Sequence, residues 1–249
     1  MKQQQKQQMA TAQGFIAALD QSGGSTPKAL TLFGLGPESY ADSREMFDFI
    51  HAIRTRIVCS GAFSSDKILG AILFEQTMGR HFDGQPSADY LWEQRGIVPF
   101  LKIDKWMQDS ADGVKLMVSM PELDKLLTRA VAANIFGTKI RSVINAASPT
   151  GIKALVEQQF CVAKKILDHG LTPIIEPEID ISMPEKATTE ALLLNEIATQ
   201  LETLPKDQHI MIKLTLPEIP HYYSHLIEHE RVLRVMALSG GYDRLTATQ

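Results

Sequence analysis

The sequence has few cysteines and no long apolar segment. It holds 2 cysteines in 249 residues, and Cys59 and Cys161 lie too far apart to form a CxxC pair. This excludes a disulfide-rich scaffold and a zinc knuckle, and it fits a reducing compartment. No apolar run reaches the about 20 residues of a membrane-spanning helix, and the Gln-rich start lacks the apolar core of a signal peptide. We therefore expect a cytoplasmic protein without a membrane partner.

The sequence also has no excess of positively charged residues. The 25 Lys and Arg are outnumbered by 29 Asp and Glu, for a net charge of −4, so the composition does not favour a nucleic-acid partner. A hydrophobic content of 44% with 22% charged residues excludes wholesale disorder. Since no Gly/Ser/Pro-rich linker divides the chain, we expect one domain over residues 1–249.

Short apolar segments of strand length recur along the chain, and amphipathic stretches with helical spacing separate several of them. The predicted strands are Gly14–Asp20, Ile68–Glu75, Ile97–Asp104, Asn134–Arg141, Leu171–Glu178, His209–Thr215 and Val232–Gly240. The predicted helices are Met120–Ala133, Ile152–His169 (with Gly170 as the stop), Asn195–Leu204 and Tyr222–His229. Alternating strands and helices indicate βαβ units, and therefore an α/β fold with a parallel sheet.

Polar residues close nearly every predicted strand. In a (β/α)8 TIM barrel the active site is built from the carboxyl ends of several strands, whereas a doubly wound sheet concentrates its chemistry at one switch point. The pattern therefore favours a barrel with about seven of its eight strands in this sequence, and a doubly wound sheet is the alternative. The closing residues are Asp20, Glu75, Asp104, Arg141, Glu178, Thr215 and Ser239.

Charged residues inside or at the ends of apolar strands form the candidate site. Burying an unpaired ammonium costs several kcal/mol, and residues two apart on a strand share a face. A lysine beside other cations in a dry pocket is partly neutral near pH 7 and attacks carbonyls, while carboxylates shuttle protons. We interpret the set as a Schiff-base site; the alternative is snorkelling lysines and helix-capping glutamates. The residues are Lys102, Lys139, Lys213, Glu176, Glu178 and Asp20.

Two glycine-rich stretches follow the first and last predicted strands. Asp20–Ser25 and Ser239–Gly241 offer backbone N–H groups and hydroxyls, which are the components of an anion nest. Neither stretch matches a P-loop or GxGxxG pattern, so a nucleotide is not indicated. Together they predict a phosphate group on the substrate.

His221, His225 and His229 are spaced four residues apart, as zinc ligands on one helix face can be. No HExxH signature accompanies them, so we interpret them as an exposed polar face. The sequence thus predicts no metal and no other cofactor.

Six segments, in chain order, resemble class I (Schiff-base) fructose-bisphosphate aldolase of the bacterial type. The resemblance runs from about residue 10 to the end of the sequence. It implies a TIM barrel that cleaves fructose 1,6-bisphosphate to dihydroxyacetone phosphate and glyceraldehyde 3-phosphate without a metal. The segments are Gly14–Pro27, Val98–Asp104, Gly137–Arg141, Pro173–Glu178, Met211–Leu214 and Leu238–Gly241.

The resemblance also implies a role for each candidate residue. Lys213 matches the Schiff-base lysine, Glu176 matches its acid–base group, and Asp20 matches the aspartate that takes the C4-hydroxyl proton. Lys102, Lys139 and Glu178 match the remaining catalytic positions, and the partner implied is a small phosphorylated sugar. A homo-oligomer is compatible with the sequence. The phosphate-binding positions match Ser22, Ser25, Arg141, Ser239, Gly240 and Gly241.

The resemblance stops short of the family's last elements. The family continues through an eighth strand with a phosphate-binding arginine and a final helix, which have no counterpart in this sequence. We therefore expect a barrel incomplete at its C-terminal end and, as written, impaired in activity. Two alternatives follow: an inactive truncated aldolase that serves as a binding or interaction protein, and another Schiff-base barrel lyase, such as a transaldolase.

Overall fold

The structure, a computed structural model, describes residues 1–22 and 24–248; Gly23 and Gln249 lie outside the described residues. Helices separate most of the strands along the chain, and a short 3-10 helix lies at Pro37–Ser39 between two helices. The helices are α1 Lys2–Thr11, α2 Thr26–Leu32, α3 Ser43–Cys59, α4 Glu75–Met78, α5 Ser87–Arg95, α6 Leu123–Ala132, α7 Pro149–Asp168, α8 Lys186–Leu201, α9 Ser224–Ile227 and α10 Arg244–Thr248. The strands are β1 Phe15–Leu19, β2 Ile68–Phe74, β3 His81–Phe82, β4 Gln85–Pro86, β5 Val98–Lys102, β6 Val114–Lys115, β7 Gly137–Ile144, β8 Thr172–Ile179, β9 Ile210–Thr215 and β10 Val232–Leu238.

The chain forms two compact units. The first comprises Met1–Ile103 with Lys125–Thr138, and the second comprises Asp104–Asp124 with the chain from Lys139 onward. The prediction of one domain over residues 1–249 stays a prediction.

Parallel strands β1, β2 and β5 form the sheet of the first unit, with β2 in the middle. Every residue of β2 is buried, as expected for a central parallel strand covered on both faces. The register aligns Leu19 with Leu73 and Phe74 with Lys102. Asp20 and Lys102 therefore both lie at the carboxyl end of this sheet, where the chains leave the strands.

Helix α3 packs in the first unit and begins at an N-cap. The Asp42 carboxylate accepts a hydrogen bond from the Glu45 amide at 2.9 Å, which satisfies one of the orphan donors of the first turn. The helix buries Met46, Ile50, Val58 and, at the same four-residue interval, Arg54. An arginine thus occupies a position that the pattern reserves for an apolar side chain.

The second unit contains parallel strands in the order β7-β8-β9-β10. The short strand β6 pairs antiparallel with the end of β7, with Val114 opposite Ile144. Helix α7 begins with Ser148 as the N-cap and Pro149 at its first position, and Gly170 follows its last turn in the left-handed conformation (φ +69°). The predicted glycine stop is therefore confirmed, because a left-handed residue ends a helix at little cost only when it lacks Cβ.

All seven predicted strands are present, so the predicted alternation of strands and helices is confirmed. The fourth begins three residues later than predicted, because Asn134 adopts φ +56° after α6. It also extends beyond Arg141 to Ile144, where β6 supplies hydrogen-bond partners. Arg141 therefore lies within β7 and does not close it.

Two helix predictions were wrong in extent. Helix α8 begins at Lys186, nine residues before the predicted start, and α9 is a single turn in place of a helix over Tyr222–His229. His221 has φ +63°, a conformation that no helix contains. Among the described residues, no helix is both long and apolar enough to span a membrane.

Candidate active site

Lys139, Glu176 and Lys213 form a cluster in the second unit, on β7, β8 and β9, which we call the lysine–glutamate cluster. The Glu176 carboxylate lies between the two ammonium groups: Oε2 is 2.9 Å from Lys139 Nζ, and Oε1 is 2.7 Å from Lys213 Nζ. The β8–β9 register aligns Ile175 with Ile212, and this alignment brings the next residues of the two strands side by side. Three strands thus each contribute one charged side chain to a single point.

Lys213 is the most accessible member of this cluster. Its side chain is 19% exposed, whereas those of Lys139 and Glu176 are 4% and 3% exposed. Lys213 is therefore the member of the cluster whose side chain a substrate can reach most readily. This is the arrangement that a lysine nucleophile requires, with an adjacent group to accept its proton.

The cluster carries two ammonium groups against one carboxylate. When Lys213 passes a proton to Glu176, the second carboxylate oxygen remains paired with Lys139, so the carboxyl group keeps its position during transfer. The 2.7 Å separation is within the range over which a general acid–base group works directly. The cluster can therefore move a proton to and from Lys213 Nζ without rearranging.

Arg141 and Glu178 form a second charged pair, two residues beyond Lys139 and Glu176 on the same strands. Arg141 Nε donates a short hydrogen bond to a Glu178 carboxylate oxygen, and both side chains are partly exposed. Burial lowers the pKa of the Arg141 guanidinium, but the hydrogen bond and charge of Glu178, with the charges of Glu176 and Asp104, outweigh burial and raise that pKa above its usual range. A fixed positive charge thus lies beside the lysine–glutamate cluster.

The predicted anion nest at Ser239–Gly241 follows β10. Gly240 and Gly241 have φ of +67° and +112°, which favour residues without Cβ. A Cβ on Gly240 would lie 2.9 Å from the Thr215 Cγ2 atom, at the end of β9. The loop therefore packs closely against the strand that carries Lys213, and only glycine permits this approach.

In the first unit, Asp20, Ser22 and Ser25 share the turn that follows β1. The Ser22 amide donates to Ser25 Oγ at 3.1 Å, and the Ser22 carbonyl accepts from the Thr26 amide at 2.8 Å. Gly23, which belongs to the predicted nest, lies outside the described residues.

Lys102 is buried at the end of β5, with Nζ 6.0 Å from the centre of the Phe74 ring, a separation typical of a cation–π contact.

The predicted histidine face does not form. Tyr222–His229 contains one turn of helix, so His221, His225 and His229 do not share a helix face. His229 Nε2 instead lies 3.1 Å from a Glu202 carboxylate oxygen. Within residues 1–22 and 24–248, no three or more His, Cys, Asp or Glu side chains converge as a metal site would require.

Buried charged residues outside the strands were missed from sequence. Arg54 on α3 donates to Gln21 and Thr77, and Lys186 on α8 pairs with Glu190. A signal existed for both sites: Arg54 interrupts an apolar series at four-residue spacing, and Lys186 and Glu190 are four apart.

Comparison with known proteins places these features in a family. The model of the family "Fructose-bisphosphate aldolase class-I" matches residues 1–218. Fructose-bisphosphate aldolase class 1 of Porphyromonas gingivalis is 53% identical over 249 residues, covering 100% of this chain and 84% of that protein. The enzyme of the same name from Synechocystis sp. is 53% identical over 247 residues, covering 99% and 82%.

Solved structures agree on the fold. Fructose-bisphosphate aldolase from Plasmodium falciparum matches with a TM-score of 0.71 at 20% identity, over 99% of this chain and 77% of that one. An archaeal fructose-1,6-bisphosphate aldolase, solved with its catalytic lysine covalently bound to the carbinolamine intermediate, matches with a TM-score of 0.51 at 14% identity, over 96% and 82%. The predicted α/β fold of the TIM-barrel type is thereby confirmed.

A family model over most of the chain, together with 53% identity to two named relatives over nearly its whole length, is decisive. The chain belongs to the class I fructose-bisphosphate aldolase family.

Proposed function

We propose that this chain cleaves fructose 1,6-bisphosphate to dihydroxyacetone phosphate and glyceraldehyde 3-phosphate through a Schiff base on Lys213. One observation carries the proposal: Lys213 has the most exposed side chain of a buried charged cluster, and its Nζ lies 2.7 Å from a carboxylate. Family membership supplies the substrate class, since both named relatives are fructose-bisphosphate aldolases.

The reaction begins at the ketose carbonyl. The neutral amine of Lys213 adds to C2 to give a carbinolamine, which loses water to give an iminium ion. Glu176 takes the proton that leaves Nζ and returns a proton to the departing hydroxyl, and the Glu176–Lys139 pair keeps the carboxyl group in position. The positive iminium nitrogen then serves as the electron sink for bond cleavage.

The carbon–carbon step needs a base for the C4 hydroxyl, and we assign it to Asp20 from the family pattern. As Asp20 takes the hydroxyl proton, C4 becomes a carbonyl carbon and the C3–C4 bond breaks. The electron pair of that bond forms the enamine, and glyceraldehyde 3-phosphate leaves. A proton then returns to C3, and water hydrolyses the iminium ion to release dihydroxyacetone phosphate and the free lysine.

The remaining predicted residues are assigned to charge and phosphate binding. We assign Lys102, Lys139 and Glu178 to the electrostatic surroundings of the reacting carbons, and Arg141 to a substrate phosphate. Arg141 Nε donates to Glu178, so a phosphate would bind through the other nitrogens of the guanidinium fork. Backbone N–H groups of the Ser239–Gly241 loop support a second phosphate contact, and we assign Ser22 and Ser25 to phosphate binding as well. We expect the chain to act as a cytoplasmic enzyme, and a homo-oligomer stays a prediction.

Borohydride trapping tests the mechanism directly. With dihydroxyacetone phosphate present, borohydride should reduce the iminium ion to a stable secondary amine, and peptide mass spectrometry should place that adduct on Lys213. Because the iminium nitrogen acts as the electron sink, cleavage activity should be unchanged in EDTA. An adduct on another lysine, or activity lost in EDTA and restored by zinc, would contradict the proposal.

Replacement of Glu176 by glutamine tests the proton-transfer role. Glutamine keeps the shape of the side chain but neither accepts a proton from Lys213 nor balances two ammonium groups. We expect kcat to fall by about 10²–10⁴-fold, the usual contribution of a general acid–base group, and adduct formation to slow in parallel. Glu157→Gln, at an exposed site on α7, is the matched control. Wild-type trapping kinetics in a folded Glu176→Gln protein would remove Glu176 from the mechanism.

A further inference from the structure

Arg54 is a buried cation in the first unit that the proposed mechanism does not use. Its side chain is 1% exposed, and it lies on the α3 face that also buries Met46, Ile50 and Val58. A charge in such a place is strongly destabilising unless partners compensate for the lost water. An apolar side chain would fill the position without that cost, so the partners of Arg54 indicate what the charge accomplishes.

Those partners converge on the residue that follows Asp20. Arg54 Nη2 donates to the Gln21 carbonyl at 2.8 Å and to Gln21 Oε1 at 3.2 Å. Arg54 Nη1 donates to Thr77 Oγ1 at 2.7 Å. Since Gln21 directly follows Asp20, two of these three bonds hold the backbone and side chain next to the proposed C4-hydroxyl base.

The same carbonyl has a second donor from the turn itself. Thr26 Oγ1 donates to the Gln21 carbonyl at 3.3 Å and to the Ser22 carbonyl at 2.8 Å. The Gln21 carbonyl is therefore directed inward, toward α3 and the start of α2. Arg54 on α3 thus holds the turn in place through the Gln21 carbonyl, where the chain leaves β1.

Arg54 also interacts electrostatically with Asp20. Burial lowers the pKa of the Arg54 guanidinium to about 10, the Asp20 carboxylate opposes this effect, and Arg80 adds to it. Arg80 is itself paired with Asp48, at 2.6 Å. Arg54 therefore stays protonated at neutral pH, and its charge acts on Asp20.

We propose that Arg54 is a positioning residue for the carbon–carbon step: it fixes the Gln21 backbone that directly follows Asp20, and its positive charge acts on Asp20. The inference rests on the proposed function, in which Asp20 removes the C4-hydroxyl proton. It assigns Arg54 to cleavage of the six-carbon substrate and not to Schiff-base chemistry on Lys213, because dihydroxyacetone phosphate has three carbons and no C4 hydroxyl.

Carbon–carbon cleavage and Schiff-base formation can therefore be measured separately in the same variant. In Arg54→Met, kcat for fructose 1,6-bisphosphate cleavage should fall by about 100-fold, the usual effect of misplacing a catalytic group by about 1 Å. The rate of borohydride trapping of dihydroxyacetone phosphate on Lys213 should stay within about threefold of wild type, since that step does not use the C4 base. Arg54→Lys keeps the charge but not the forked hydrogen bonds, so it should recover at least about tenfold of the loss.

Two control variants separate positioning from general stability. Arg56→Met changes an exposed arginine on the same helix and should leave both rates unchanged. Thr77→Val removes one partner of Arg54 while the charge and the hydrogen bonds to Gln21 remain, so cleavage should stay within about threefold of wild type. Thermal unfolding measures the folded fraction of every variant.

Several outcomes would overturn the proposal. These are an equal loss of cleavage and trapping in Arg54→Met, wild-type cleavage in that variant, or a Thr77→Val loss as large as that of Arg54→Met. If Arg54→Met fails to fold, the split between cleavage and trapping in Arg54→Lys decides in its place. A wild-type protein without an adduct on Lys213 would instead refute the proposed function, and that result is distinct from all of these.

Discussion

Replacement of Lys213 by arginine is expected to abolish cleavage of fructose 1,6-bisphosphate, lowering kcat/KM by about 10⁴-fold or more, as removal of a covalent nucleophile does. Arginine keeps the positive charge that pairs with Glu176, so the electrostatic balance of the lysine–glutamate cluster is retained. Its guanidinium does not lose a proton in the accessible pH range, however, and therefore cannot attack the C2 carbonyl.

The measurement combines steady-state kinetics with trapping. Lys213→Arg should give no borohydride-stable adduct with dihydroxyacetone phosphate, while its thermal unfolding stays close to that of wild type. Lys164→Arg, an exposed position on α7, is the matched control and should trap and cleave normally. Appreciable cleavage by a folded Lys213→Arg protein would show that the covalent intermediate forms elsewhere or not at all.

Replacement of Lys186 by methionine is expected to lower the free energy of unfolding by about 3–5 kcal/mol, the range for breaking a buried ion pair by removing one partner. The Lys186 and Glu190 side chains are each 2% exposed and directly paired on α8. Lys186 Nζ also donates to the Leu216 carbonyl at 2.7 Å, and Glu190 accepts from the Glu218 amide at 3.2 Å. The pair therefore anchors the segment that follows β9, the strand of Lys213.

Urea denaturation with a second substitution tests this explanation. Lys186→Met leaves the Glu190 carboxylate buried without its counter-charge, and the double variant Lys186→Met/Glu190→Leu removes that charge. The double variant should recover part of the loss, and the remainder should reflect the Leu216 and Glu218 backbone groups, which lose their partners.

Helix α7 provides the matched control pair for the urea experiment. Lys153 and Glu157 have the same four-residue spacing, but they are 4.0 Å apart and both exposed. Lys153→Met should therefore change the free energy of unfolding by less than about 0.5 kcal/mol. Similar small losses at Lys186 and Lys153 would show that the buried pair does not stabilise the protein.

Strand periodicity and residue chemistry determined much of this protein from sequence. The apolar segments identified all seven parallel strands, because a strand buried on both faces needs a run of apolar residues whatever its neighbours are. Lys139, Glu176 and Lys213 were recognised because a charge within such a run conflicts with burial and signals a compensating partner. The spacing of Glu176 and Glu178 indicated a shared strand face, since alternation along a strand is local geometry.

Pairing between elements was decided by tertiary structure alone. The sequence does not specify that Glu176 bridges two lysines while Glu178 holds Arg141, because this depends on the register between neighbouring strands. Likewise, β7 extends past Arg141 because its end pairs with β6 and because the Ile144 carbonyl accepts a hydrogen bond from the Asp180 amide. The spacing along α3 marks Arg54 as a polar residue in an apolar series, but it does not say what Arg54 contacts. Arg54 anchors the turn after β1 because α3 packs its core face toward Gln21 and Thr77, and contact partners tens of positions apart cannot be identified from a periodic pattern.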